Sequence, residues 1–311
     1  MFARRFLPRL IWLLALACPI SNCYAEDLAI LLSGADGVYR EVRDAIEAEV
    51  AKDSDVRVVV DVVGTQSAPE VAAGNHLLLI AVGTRAAELV LRPGQLRAPV
   101  LVLLVPRNTL LNLTARLDGS ETRRVTAVFL DQPFVRQIEL IRQVFPNLTQ
   151  LGAVVGPESG REVERLRTIA AARGIKLVAE RAEIQTELFS VLQRIMSAAE
   201  AFLAIPDAKL VNADTAQNLL LTSFRFRTPV IGYSAAYVRA GALAAVYSTP
   251  QQAGKEGGEI ARAVLKGSAL PASRYPRAFR VGVNRHMAAT LGLVVADEET
   301  LKDRIQRGEI E

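Results

Sequence analysis

Cysteine, tryptophan and histidine are nearly missing from this 311-residue chain, which has two cysteines, one tryptophan and two histidines. Trp12, Cys18 and Cys23 all fall within the first 25 residues, so a chain that starts after Ala25 has no thiol and no indole. Such a chain forms no disulfide and no cysteine-ligated metal site. His76 and His286 lie far apart without metal-ligand spacing, and no nucleophile and base stand in a recognisable pattern. Aromatic residues are 5% of the total, and between Glu26 and Val128 Tyr39 stands alone. That scarcity argues against a large aromatic cage and leaves room for a tyrosine clamp. Lys and Arg number 37 against 33 Asp and Glu, but Arg4, Arg5 and Arg9 precede Ala25. Without them 34 basic groups face 33 acidic ones, a balance that offers no argument for nucleic acid.

What is present first is an export signal over residues 1–25: three arginines, an apolar run from Leu10 to Ile20, and a small residue at Ala25. The run is shorter than the roughly 20 apolar residues needed to span a bilayer. Cleavage after Ala25 gives a soluble periplasmic chain. The alternative is a lipid-anchored form through Cys23 in Ile20-Ser-Asn-Cys23, which Asn22 disfavours.

The 286 residues after Ala25 exceed one ordinary domain of about 100–150 residues, so two lobes are expected. Aliphatic runs at Asp27–Ser33, Val56–Val63, Leu77–Val82 and Pro99–Val105 suit strands covered on both faces. Helical stretches separate them, with Val42, Ile46 and Val50 on one face of the first. The plan repeats at Leu151–Val155, Lys176–Ala179, Phe202–Ile205, Pro229–Ile231 and Leu243–Val246. Leu188, Val191, Leu192 and Ile195 mark a helix between these strands, and Gly174 is placed as a helix stop. Strand and helix in alternation predict an α/β protein of two doubly wound parallel-sheet lobes.

The wording from Phe202 to Leu293 is more specific. Ala201-Phe-Leu-Ala-Ile-Pro-Asp207, Pro229-Val-Ile-Gly-Tyr-Ser234, the glycine-containing helix Gly254–Gly267 and Val283–Leu293 stand in a fixed order. Upstream, Phe134–Gly156 and Ala170–Val178 open the second half. This set resembles the ABC-transporter substrate-binding protein family with a type I periplasmic-binding fold, some of whose members bind aromatic amino acids. The resemblance covers Val125 to Leu293. It implies three crossings between lobes, near Asp131–Pro133, Ser248–Gln251 and Arg280–Val283. Lobe 1 is then 26–131 with 249–280, and lobe 2 is 132–248 with 281–311.

Open parallel sheets bind ligands at the carboxyl ends of their strands. The tips here are Ser33–Gly37, Val82–Arg85, Val105–Thr109, Gly156–Gly160, Ile205–Asp207 and Gly232–Ser234. Candidate ligand contacts are Ser33, Tyr39, Thr84, Arg85, Arg107, Asp131, Asp207, Tyr233 and Ser234. Gly83-Thr84 resembles the family's Gly-Thr tip, where Thr84 either holds a carboxylate or caps the helix. Asp207 matches the acid of the family's Pro-Thr-Asp tip, with Pro206 before it in place of threonine. Arg107 replaces the acid of an Asp-Pro tip, so Arg85 and Arg107 suit a carboxylate-bearing solute. Tyr39 is placed to stack on a ligand, with Tyr233, Tyr237 and Tyr247 opposite.

The resemblance implies a monomeric, non-enzymatic receptor without a cofactor, whose partners are a small solute and an ABC permease in the inner membrane. A nicotinamide enzyme would need Gly-x-Gly-x-x-Gly after its first strand, which Ser33-Gly-Ala-Asp-Gly-Val does not supply. The alternative is a periplasmic sensor or interaction module of the same fold that signals through a membrane partner. The charged tail from Asp297 reads as a solvated terminal helix or, on that alternative, a docking helix.

Overall fold

A computed structural model describes residues 28–52, 56–157, 159–207 and 210–309. The proposed signal, with Cys23 and Ala25, lies outside the described residues.

Two sheets form two lobes. The first joins β1 (Leu28–Leu32), β2 (Val58–Val62), β3 (Leu78–Val82), β4 (Val100–Leu103) and β5 (Val125–Val128) in the order β2-β1-β3-β4-β5. All its pairings are parallel. Leu28, Ile30 and Leu32 of β1 enter one core cluster, while Ala29 and Leu31 enter another on the opposite face. Burial on both faces is why these strands are unbroken aliphatic runs rather than alternating ones.

The second sheet has β6 (Gln150–Val155), β7 (Lys176–Arg181), β8 (Ala201–Leu203), β9 (Val230–Gly232), β10 (Ala244–Tyr247) and β11 (Arg280–Val283) in the order β11-β10-β9-β8-β6-β7. It is parallel except for β11, which runs against β10 with Ala244 opposite Val283. The doubly wound α/β plan read from the sequence is therefore the observed one, with an antiparallel edge strand added. The third crossing, expected at Arg280–Val283, lies earlier, because those residues are β11 and Val281 and Val283 are buried. Gly174 ends its helix at φ +76°, and the Ile175 N–H donates back to the Ala170 carbonyl at 3.0 Å.

After β10 the chain returns to the first lobe as the helix Pro250–Leu265, which packs along the helix Val38–Val50. Glycine permits the approach. A Cβ on Gly254 would lie 2.4 Å from the Val42 carbonyl oxygen, and one on Gly258 would lie 2.5 Å from the Glu49 Cβ. The terminal helix Glu298–Gly308 is not simply a solvated tail. Leu301 and Ile305 are fully buried in the second-lobe core.

The three crossings are tied together. Gln132 Nε2 donates to Ser248 Oγ at 2.9 Å, and Ser248 Oγ donates to the Ala278 carbonyl at 2.6 Å. Arg136 Nη1 donates to Gln132 Oε1 at 2.9 Å and to the Pro276 carbonyl at 2.7 Å. The Arg136 guanidinium also lies 4.4 Å from the Phe279 ring centre and pairs with Glu309. Residues from all three crossings thus share a single hydrogen-bond network.

Candidate functional site

Strand tips from both sheets face the gap between the lobes, and local chemistry decides which side chains can reach it. At the end of β1 the Ser33 hydroxyl turns inward and accepts from the Ala86 N–H at 2.9 Å. It therefore holds the start of the helix Thr84–Val90 to the β1 tip. The Tyr39 ring rests on Gly34 and Gly83, where added Cβ atoms would come within 3.0 and 2.7 Å of it. Gly83 also needs its freedom at φ +88°. Thr84 is the first residue of that helix, and the N-cap residue before it is Gly83, which has no side chain to cap with. Arg85 is exposed, with one weak contact from Nη1 to the Ser33 carbonyl at 3.4 Å.

The end of β4 meets the second lobe directly. Leu104 holds a left-handed backbone, φ +56°, an unfavourable state for a residue with a branched side chain. Beyond it, the Arg107 N–H donates to Asp131 Oδ2 at 2.8 Å, and the Arg107 guanidinium forms an ion pair with Glu162 across the gap. Arg165 stands 3.8 Å from the other Glu162 oxygen and donates to the Tyr275 hydroxyl at 3.0 Å. Burial pushes the Asp131 carboxyl up to about 7, against the pull of the Arg107 N–H, with the charge of Glu162 adding to the rise. A cavity of about 20 Å³ lies here, lined by Arg107, Asn108, Asp131, Gln137, Glu162 and Tyr275 among others.

A larger chamber of about 390 Å³ is lined by residues of both lobes. Val38, Glu41, Leu104 and Leu130 come from the first lobe, and Tyr233, Ser234, Arg239 and Tyr247 from the second. Residues of the crossing Ser248–Gln251 also line it. Its size lies within the range of small-molecule sites, which are mostly apolar with a few placed polar groups. The Tyr233 hydroxyl donates to the Val211 carbonyl at 3.2 Å, which leaves its ring as wall. Ser234 caps the helix Ala235–Ala240 by accepting from the Tyr237 N–H at 3.2 Å. Glu41 accepts from Gln251. Arg239 has no hydrogen-bond or ion-pair partner among the described residues.

The sequence candidates therefore separate into four groups. Tyr233 and Ser234 meet in the chamber, and Arg107 and Asp131 meet in the small cavity. Tyr39, Thr84 and Arg85 stand at first-lobe tips and line neither. Ser33 and Asp207 are committed inside their lobes: Asp207, 2% exposed, accepts from the Ser159 N–H and hydroxyl, each at 2.9 Å. Gly156 makes space for that carboxylate, since a Cβ there would lie 2.5 Å from it. Tyr237, expected opposite Tyr39, is buried beneath Gly232 in the second-lobe core. Sequence reasoning missed Asn108, Gln137, Glu162 and Arg239. The one available signal was Gln137, a polar residue beside the apolar stripe Phe134, Ile138 and Ile141.

Comparison with known proteins fits this geometry. The sequence matches the family described as ABC transporter substrate binding protein over residues 61–304. No curated protein sequence matches it. Among solved structures, it is similar to an ABC domain from Streptococcus pneumonia in complex with L-Trp, at 20% identity and TM-score 0.64, covering 89% of this chain and 98% of that one. The ligand-free, open structure of a substrate binding protein with adhesive properties from Clostridium difficile is 15% identical at TM-score 0.67, covering 87% and 96%. The myo-inositol binding protein of Caulobacter, bound to myo-inositol, is 18% identical at TM-score 0.51, covering 88% and 99%. At these identities the likeness is one of fold. The family and these relatives bind solutes and are not enzymes.

Proposed function

Because this chain belongs to the family of ABC transporter substrate binding proteins, we propose that it is an exported solute receptor that closes on a small carboxylate-bearing solute and presents it to an ABC permease. The observation that carries this reading is the chamber of about 390 Å³ walled by both lobes and a crossing. A ligand touching both lobes binds the closed arrangement better than the open one and so shifts the population toward closure.

The carboxylate belongs at Arg239. Both arginines expected to hold it are otherwise placed: Arg107 is neutralised by Glu162, and Arg85 stands outside the chamber. Arg239 lines the chamber without a partner, and guanidinium suits a carboxylate's two oxygens. Val38, Leu104, Leu130, Tyr233 and Tyr247 suit an apolar or aromatic solute body better than a polyol, which would need many more polar groups. Among the relatives, that is nearer to the L-Trp complex than to the myo-inositol complex. Three interlobe crossings tied by one network allow closure as a rigid-body rotation.

The test is a melting-temperature screen of carboxylates, amines, nucleosides and sugars, with mass spectrometry of whatever co-purifies. A solute at 100 times its Kd stabilises the folded chain by about 2.7 kcal/mol, an easily visible shift. Hits among carboxylates with an apolar body are expected. If no solute shifts melting while a membrane partner binds the ligand-free protein, the sensor reading replaces the receptor reading.

A further inference from the structure

Three residues that line the small interlobe cavity each carry a buried side-chain oxygen without a hydrogen-bond partner: Asn108 Oδ1, Asp131 Oδ1 and Gln137 Oε1. Gln137 is only 2% exposed, and its oxygen does not touch bulk water directly. Native folds keep few such groups, because each unpaired one costs about 1–3 kcal/mol. The neighbouring charges do not satisfy them. Glu162 already takes Arg107 and, at 3.8 Å, Arg165, while Asp131 receives the Arg107 N–H on its other oxygen.

We propose that this cavity is an ammonium site, in which the N–H groups of NH₄⁺ or of a primary ammonium R–NH₃⁺ are shared among Asn108, Asp131 and Gln137. The count of donors supports it. Water alone offers two hydrogens and a protonated Asp131 alone offers one, so neither by itself pairs all three oxygens, where a single ammonium head suffices. The volume, about 20 Å³, takes one water-sized group and rejects a carboxylate or a ring. Charge agrees as well. Burial and Glu162 raise the Asp131 carboxyl to about 7 despite Arg107, and a bound cation would take the place of that proton. Asn108 and Asp131 come from the first lobe and its crossing, Gln137 and Glu162 from the second, so an occupied site holds the lobes together.

The ammonium is either a free ion or the head of an amine-bearing solute; only the second source rests on the solute-receptor reading. Melting curves at pH 8 and constant ionic strength, in ammonium, methylammonium, potassium and choline chloride, distinguish these. Ammonium should raise Tm saturably and choline should not. A rise with methylammonium too means that the cavity admits an amine head, and a rise with ammonium alone means a free ion; both support an ammonium site. Gln137→Leu and Asp131→Asn, with unchanged circular dichroism, should weaken the ammonium effect at least about tenfold. Asn108→Ala serves if either fails to fold. An equal rise with potassium, an effect kept in the variants, or no effect at all overturns the proposal. Failure of the ammonium site would leave the solute screen of the larger chamber untouched, and failure of that screen would leave the free-ion source untouched.

Discussion

Gln132 and Gln137 stand five residues apart, 3% and 2% exposed, and their side chains meet opposite fates. Gln132 has both ends engaged, donating to Ser248 and accepting from Arg136. Gln137 donates weakly to the Gln132 carbonyl at 3.4 Å, and its oxygen is unpaired. The hinge is thus satisfied from within, while the gap beside it keeps unused hydrogen-bonding capacity. A buried polar group with partners belongs to the fold. One without them is capacity for something the chain does not itself contain.

The sharpest way to break this contrast is to cut the hinge. Arg136→Leu strips partners from Gln132, Pro276 and Glu309 at once and should destabilise by about 3 kcal/mol or more, read as a fall in denaturation midpoint. A loss below about 1 kcal/mol would place the hinge and the gap in the same class.

The gap should respond to pH instead. Asp131 has a folded-state pKa of about 7, above its unfolded value, so the folded chain keeps a proton that the unfolded chain has released. Ligand-free stability then falls as pH rises from about 4 to 7, by at most about 1.4 kcal/mol per unit, and levels off above. Glu162, Arg107, Arg165 and Tyr275 surround the group and are unchanged in Asp131→Asn, which should remove this part of the slope. Equal slopes in the two proteins would show that Asp131 is ionised throughout.

Smaller effects are expected in the chamber. Arg239→Gln should lower affinity for a carboxylate solute by about 1 kcal/mol or more with little change in melting of the free protein, since Arg239 has no partner to lose. Titration calorimetry measures the first and a melting curve the second. Smallest of all, Gln137→Leu should leave ligand-free stability unchanged or raise it by up to about 1 kcal/mol, because it removes an unpaired oxygen. A clear loss, beyond that of the weak bond from its Nε2 to the Gln132 carbonyl, would mean that the Gln137 oxygen has a structural partner.

How far the sequence could be read follows the same division. β1, β3 and β4 were legible because strands buried on both faces need uninterrupted aliphatic residues. β5 and β11 were not, since Val-Thr-Ala-Val and Arg-Val-Gly-Val are short and broken by polar residues or glycine. Tip positions were legible; side-chain direction was not. Ser33 and Asp207 stand on tips and still turn inward, because a nearby N–H captures a short polar side chain as readily as a ligand does. Arg107 does line the gap between the lobes, yet its partner Glu162 lies 55 positions away and nothing local announces the pair. Arg239 sits in a six-residue helix that shows no sign of facing a chamber.

Hydrogen exchange with and without a solute from the screen tests the central claim most directly. If the chamber is the binding site, the solute should slow exchange together at Leu104 and Leu130 in the first lobe and its crossing, and at Tyr233–Arg239 in the second. Protection confined to one lobe, or found away from the chamber, would contradict closure of two lobes around a solute held there.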